Sequence, residues 1–139
     1  MKILFICKYN AFRSRVAEAY FKKINKNRNV HVLGSRGFIM GGHSDKVQRE
    51  VSKKLLGINI DDRTPRSITI NDLKEATKII VVANDIPKIM FNYWSAPIMK
   101  KVVLWKIKDE QKRNKKNISK IVLAIKRKVD KLNRRLERR

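Results

Sequence analysis

Cysteine is nearly absent from this 139-residue chain, Cys7 being the only one. An intramolecular disulfide and a multi-cysteine zinc site are both excluded, and a reducing cytoplasm is the compartment that such usage suits. Acidic residues are scarce as well: 12 Asp plus Glu stand against 35 Lys plus Arg, for a formal charge of +23. Gly and Pro together number only eight while 42% of residues are hydrophobic, a balance that excludes a disordered basic tail. Long apolar runs are missing too. None nears the roughly 20 residues needed to cross a bilayer. The N-terminal stretch from Ile3 to Ile6 is shorter than a signal-peptide core and runs into Cys7 and Lys8 without a small-residue cleavage pattern. The expectation is a soluble cytoplasmic protein with no membrane partner, folded as a single domain over residues 1–139.

The apolar residues are ordered with two periods. Lys2 to Ile6 is nearly continuous, as in a parallel strand covered on both faces. Ser14 to Ile24 places Val16, Ala17, Tyr20, Phe21 and Ile24 on one helical face. A second strand at Val30–Leu33 leads into a Gly-rich loop ending at Ser44, which is expected to cap a helix bearing Val47, Val51, Leu55 and Leu56 and stopping at Gly57. Asn71 is expected to cap a short helix containing Leu73 and Ala76. Strands at Ile79–Ala83 and Lys101–Trp105 flank an ambiguous stretch from Ile86 to Trp94, with Pro87 in a first helical turn and Pro97 closing the segment. Asn117 to Leu136 carries Ile118, Ile121, Val122, Ile125, Val129, Leu132 and Leu136 at helical spacing, with a strongly basic opposite face. Strands alternating with helices predict an α/β fold, a three-layer sandwich around a four-stranded parallel sheet.

The segment Cys7-Lys8-Tyr9-Asn10-Ala11-Phe12-Arg13-Ser14 lies between the first strand and the first helix. A loop in that position aims successive backbone N–H groups at one point, where the helix dipole also favours negative charge. The same field stabilises a thiolate at Cys7 and makes it nucleophilic. Arg13 offers a planar fork to two phosphate oxygens and to a trigonal-bipyramidal transition state. Ser14 can donate a hydrogen bond to the thiolate.

This C-x5-R-S pattern after an N-terminal strand resembles the low-molecular-weight protein tyrosine phosphatase family, over nearly the whole chain. Asn10 matches the asparagine that braces the family's loop, Ser35 and Gly37 resemble the motif after its second strand, and Arg66 and Ser67 precede the third helix as in the family. The resemblance implies a metal-free, cofactor-free phosphatase of aryl phosphate monoesters, phosphotyrosine in proteins above all. Cys7 is then the nucleophile, and Arg13 with the N–H groups of Lys8, Tyr9, Asn10, Ala11, Phe12 and Ser14 binds phosphate. Asp109, just beyond the fourth strand, matches the family's general acid, with Glu110 as the nearby alternative; Asp85 aligns with a structural aspartate.

The chain departs from the family at three places. Tyr9 stands where a Gly is usual, and Ala11 and Phe12 occupy the region where many members carry a second, protective cysteine. Glu110, Gln111 and Lys112 follow Asp109 in place of Pro and aromatic residues, so a wall for a substrate ring must come from Tyr9, Phe38, Tyr93 or Trp94. Neither His31, in a strand, nor His43, in a loop, is read as catalytic. A second reading stays open beside the enzyme. Residues 100–139 hold 17 Lys or Arg against 4 Asp or Glu, which suits a nucleic-acid- or polyanion-binding protein with a non-catalytic anion loop, although no recognised binding motif accompanies the charge.

Overall fold

The computed structural model describes residues 1–39, 41–60, 64–109 and 114–137. Strand β1 is Lys2–Cys7, followed by helix α1 at Arg13–Ile24, β2 at His31–Gly37 and α2 at Lys46–Leu56. Next come α3 at Ile70–Glu75, β3 at Lys78–Val81, a 3-10 turn at Lys88–Phe91 and α4 at Ala96–Met99. Strand β4 at Val102–Leu104 and the long helix α5 at Lys115–Glu137 complete the fold. The four strands form one parallel sheet in the order β2-β1-β3-β4. The α/β architecture expected from the alternation of periods is the one observed.

Side-chain alternation along β1 builds both faces of the sheet. Ile3 and Phe5 join the core under α1, α2 and α5, together with Val16, Phe21, Ile80, Val122 and Ile125. Leu4 and Ile6 turn the other way and pack with Leu73, Ala76, Ile79 and Ile98, under α3 and α4. All four β1 side chains are fully buried. Each therefore contributes about 1.5–3 kcal/mol of apolar transfer energy, which is why a continuous apolar run, and not an alternating one, marks this strand.

Several boundaries differ from the sequence expectation. Strand β2 does not end at Leu33 but continues through the glycines to Gly37. The β1–β2 register pairs Ile3 with Val32 and Leu4 with Gly34, so Leu33 is an extra residue at a bulge, and Gly34 there takes φ +150°. A bulge admits glycine where a plain ladder disfavours it. The cap of α2 is Asp45, whose carboxylate accepts from the N–H of Gln48 while the Gln48 side chain accepts from the N–H of Asp45; Ser44 is buried instead, its hydroxyl without a partner among the described residues. Thr69, not Asn71, caps α3, in a second reciprocal box with Asp72. In both cases a residue able to close the box with a side chain three positions on displaces the simple cap. Pro87 precedes the 3-10 turn, and Pro97 lies in the first turn of α4 instead of ending a segment. Gly57 does close α2, in the left-handed conformation at φ +64°.

Candidate active site

Cys7 is the last residue of β1 and Arg13 the first of α1, so residues 8–12 turn the chain from the C-terminal edge of the sheet into a helix N-terminus. Such edges are where open α/β sheets bind ligands. No side chain caps α1. Its first N–H groups, at the start of the helix, lack intrahelical acceptors, the arrangement that suits a helix N-terminus to an anion. Within the loop the left-handed conformation falls on Asn10, at φ +57°, and not on Tyr9. Asn is the residue that tolerates this conformation best after Gly. The side chain at position 9, where the family has Gly, is accommodated without strain for that reason.

Asn10 is buried and its amide is fully used. Nδ2 donates to Ser14 Oγ at 3.0 Å and to Ser35 Oγ at 2.9 Å, and Oδ1 accepts from the N–H of Arg66 at 3.0 Å. The backbone N–H of Asn10 points to Cys7 Sγ at 3.2 Å, and Ser14 Oγ lies 3.1 Å from the same sulfur. Because Ser14 Oγ already accepts from Asn10, its own proton is available to the sulfur, which then receives two hydrogen bonds suited to a thiolate. Ser35 passes the network outward by donating to Glu18 Oε1 at 2.9 Å. Cys7 itself is 2% exposed.

The loop is also pinned from outside. Phe38 N–H donates to the Cys7 carbonyl and Ile39 N–H to that of Lys8, both at 3.1 Å, while Gly37 N–H bonds the Arg66 carbonyl at 2.7 Å. Gly37 packs flat against the loop: a Cβ there would sit 2.7 Å from the Tyr9 carbonyl carbon and 2.8 Å from Asn10 N. Gly41 plays the same part under Tyr9, whose Cβ and ring a side chain would meet at about 2.5 Å. Lys8 Nζ lies 5.3 Å from the centroid of the Tyr9 ring.

Arg13 is 3% exposed. Its guanidinium donates to both carboxylate oxygens of Asp85, at 2.9 and 3.2 Å, and to the Ile107 carbonyl at 2.9 Å. A buried, two-sided clamp of this kind fixes the plane of the fork. Asp85 thus holds Arg13, a partnership that the sequence reading left open when it set Asp85 apart as structural. Ile107 carries no chemical signal in the sequence, because only its backbone oxygen acts. Asp109 lies two residues beyond Ile107 and is exposed. Glu110 lies outside the described residues.

Of the four aromatic candidates, Phe38 and Trp94 come together beside the loop, stacked at 5.3 Å between centroids and 8° between planes. Phe91, which the sequence reading passed over, completes the group by edge contacts to both, at 5.2 and 5.0 Å, and packs against the cluster containing Cys7. Tyr9 stands half-open on the loop itself, whereas Tyr93 is 90% exposed. His31 and His43 are both exposed, the first on β2 and the second in the loop before α2.

The family model for low molecular weight phosphotyrosine protein phosphatases matches residues 2–139. No curated protein matches the sequence. Among solved structures, a YwlE mutant from Bacillus subtilis is similar over 99% of both chains, at 19% identity and a TM-score of 0.84. The YwlE arginine phosphatase from Geobacillus stearothermophilus aligns with 98% of this chain and 92% of its own, at 18% identity and 0.83. The low molecular weight protein tyrosine phosphatase from T. tengcongensis aligns with 97% and 99%, at 24% identity and 0.81. These likenesses speak for the fold, and the family match speaks for the activity class: the chain belongs to the low molecular weight phosphotyrosine protein phosphatase family and is a cysteine-based phosphatase of phosphate monoesters.

Proposed function

We propose that this phosphatase acts on aryl phosphate monoesters, protein phosphotyrosine in particular, with Cys7 as nucleophile, Arg13 as phosphate binder and Asp109 as general acid and base. The observation that carries the assignment is the pair of hydrogen bonds received by the buried Cys7 Sγ, from Asn10 N–H and from Ser14 Oγ. A loop that only held anions would have no use for a sulfur poised in this way.

In the first step the Cys7 thiolate attacks phosphorus. The S–P bond forms, the P–O bond to the alcohol breaks, and the Asp109 carboxylic acid delivers its proton to the departing oxygen. Arg13 and the N–H groups of Lys8, Tyr9, Asn10, Ala11, Phe12 and Ser14 hold the equatorial oxygens, whose charge they neutralise most fully at the trigonal-bipyramidal geometry. In the second step the Asp109 carboxylate takes a proton from water as the water oxygen attacks phosphorus. The S–P bond breaks, inorganic phosphate leaves, and the Ser14 hydroxyl steadies the returning thiolate. The clamp from Asp85 and Ile107 keeps the Arg13 fork oriented through both steps.

Preference for an aryl group is supported by the Phe38, Phe91 and Trp94 cluster and by the half-open Tyr9, which offer apolar surface beside Cys7 in place of the Pro-aromatic segment absent after Asp109. The test is hydrolysis of para-nitrophenyl phosphate between pH 5 and 7, under reducing and metal-chelated conditions. Cys7→Ser is expected to abolish turnover, and Asp109→Asn to lower kcat by about 100-fold or more. Turnover that survives Cys7→Ser overturns the mechanism, and an unchanged Asp109→Asn moves the acid elsewhere. Phosphoarginine, the ester's N-phosphoryl counterpart, run in parallel decides the leaving group: faster release from it than from phosphotyrosine refutes the aryl preference.

A further inference from the structure

A second concavity, about 200 Å³ in volume, lies along the open edge of the sheet between β4 and α5. Its floor is apolar, with Leu104 at 52% and Val103 at 38% exposure. Its walls carry Lys78, Lys128, Lys131 and Arg135, and among the described residues no acidic one lines it. None of these four cations makes an ion pair or hydrogen bond with another described residue. This sets them apart from Lys2, Lys22, Arg36 and Lys126, each of which has an acidic partner.

The backbone of β4 adds a second feature. Its ladder to β3 uses the Lys101 carbonyl and the Trp105 N–H, so the intervening even-numbered residues turn their N–H and C=O groups to the outside. Leu104 is therefore an exposed side chain on a strand edge that no described residue pairs with. Natural proteins protect such edges with bulges, prolines or a covering element, and β4 has a regular register.

We propose that this groove docks an extended, acidic segment of the phosphorylated protein substrate, which pairs along β4 and sets its carboxylates against the four cations. The proposal rests on the protein-phosphatase reading above. Dimensions agree: Lys128, Lys131 and Arg135 recur every 4.5–6 Å or so along α5, close to the roughly 6.8 Å repeat of alternate side chains on a strand. Alternating acidic residues would meet successive cations on the α5 side, next to Val103, while their neighbours, on the opposite face, cover Leu104. Main-chain pairing plus side-chain pockets is a recurring mode of peptide capture. The groove also points to the reaction centre. From Leu104 the chain needs three residues, at most about 10 Å, to reach Ile107, whose carbonyl holds Arg13. A nucleic acid fits less well, because the one aromatic lining the groove, Trp105, is 8% exposed and offers no stacking platform.

The test uses a fluorescent twelve-residue peptide of alternating Glu and Val, read by anisotropy, with an oligothymidylate of similar charge as competitor. Lys128→Ser/Lys131→Ser/Arg135→Ser is expected to weaken peptide binding about tenfold, and Leu104→Pro to weaken it comparably by removing the outward N–H, with circular dichroism showing both variants folded. The triple variant should also lose about tenfold in kcat/KM toward a phosphotyrosine peptide extended by the acidic segment, and leave para-nitrophenyl phosphate turnover unchanged. Equal loss on replacing Lys115, Lys116 and Lys120 instead would overturn the proposal in favour of a diffuse field. So would peptide binding indifferent to Leu104→Pro and displaced more readily by the oligonucleotide. An inert wild type on para-nitrophenyl phosphate would refute the phosphatase assignment alone, since the anisotropy isotherm reads the groove independently.

Discussion

Replacing Asn10 by Ala tests the loop's construction directly. Three side-chain hydrogen bonds disappear, to Ser14, Ser35 and the N–H of Arg66, each worth about 1 kcal/mol in a buried setting. Alanine must also adopt φ +57°, which costs a non-glycine residue about 1 kcal/mol or more. The sum is about 4 kcal/mol, and with a urea m-value near 2 kcal/mol/M the unfolding midpoint should fall by roughly 2 M. Asn10→Gly loses the same bonds but not the conformational freedom, so it should recover about 1 kcal/mol of the difference. Because Ser14 loses the donor that orients its hydroxyl toward Cys7, both variants should also lose at least about tenfold in kcat/KM on an aryl phosphate. A midpoint within about 0.3 M of wild type, or Ala and Gly variants of equal stability, would refute the bracing argument.

Gly37→Ala should cost about 1–3 kcal/mol and depress activity, because its Cβ would press on the Tyr9 and Asn10 backbone; a fully active Gly37→Ala enzyme would show that the loop gives way there freely. Asp130 accepts from Tyr20 at 2.7 Å and from Lys126 at 2.6 Å, joining α1 to α5. Burial alone would raise its carboxyl, but those hydrogen bonds outweigh it and hold it below the ordinary range. Its contribution is thus present above the unfolded carboxylate value near 4 and is lost as pH falls through the folded value. The stability gap between wild type and Asp130→Asn, followed by urea unfolding, should shrink below about pH 4; a gap that widens there contradicts the sign. Peroxide should inactivate the enzyme without rescue by dithiothreitol once the sulfinic state forms, since no second cysteine can trap Cys7 as an intramolecular disulfide; full recovery after excess peroxide would refute this.

Much of the fold and the make-up of the candidate site's loop were legible in the residues. The apolar run of β1, the stripe of α5 and the left-handed Gly57 are local signals whose periods and conformations leave little choice. That Cys7, Arg13 and Ser14 share one turn between a strand and a helix was legible because spacing within one loop does not depend on distant contacts. Caps were read less well: Asp45 and Thr69 prevailed over Ser44 and Asn71 because a reciprocal box depends on a partner three residues on. The extension of β2 past Gly34 was hidden by its bulge, whose glycines look like a loop until β1 supplies the ladder.

By itself, then, the sequence determined the alternation of strands and helices, the loop that carries Cys7, Arg13 and Ser14 from a strand into a helix, and the surplus of positive charge. Tertiary structure alone decided what holds that loop and where the charge is unopposed. The Arg13 clamp joins residues 72 and 94 positions away in sequence, one of them through a backbone carbonyl. The aromatic cluster draws on Phe38, Phe91 and Trp94 from two segments, and the four cations of the edge groove come from β3 and α5. Such pairings are set by how the strands are ordered in the sheet, and a backbone oxygen or a strand edge has no letter in the sequence to announce it.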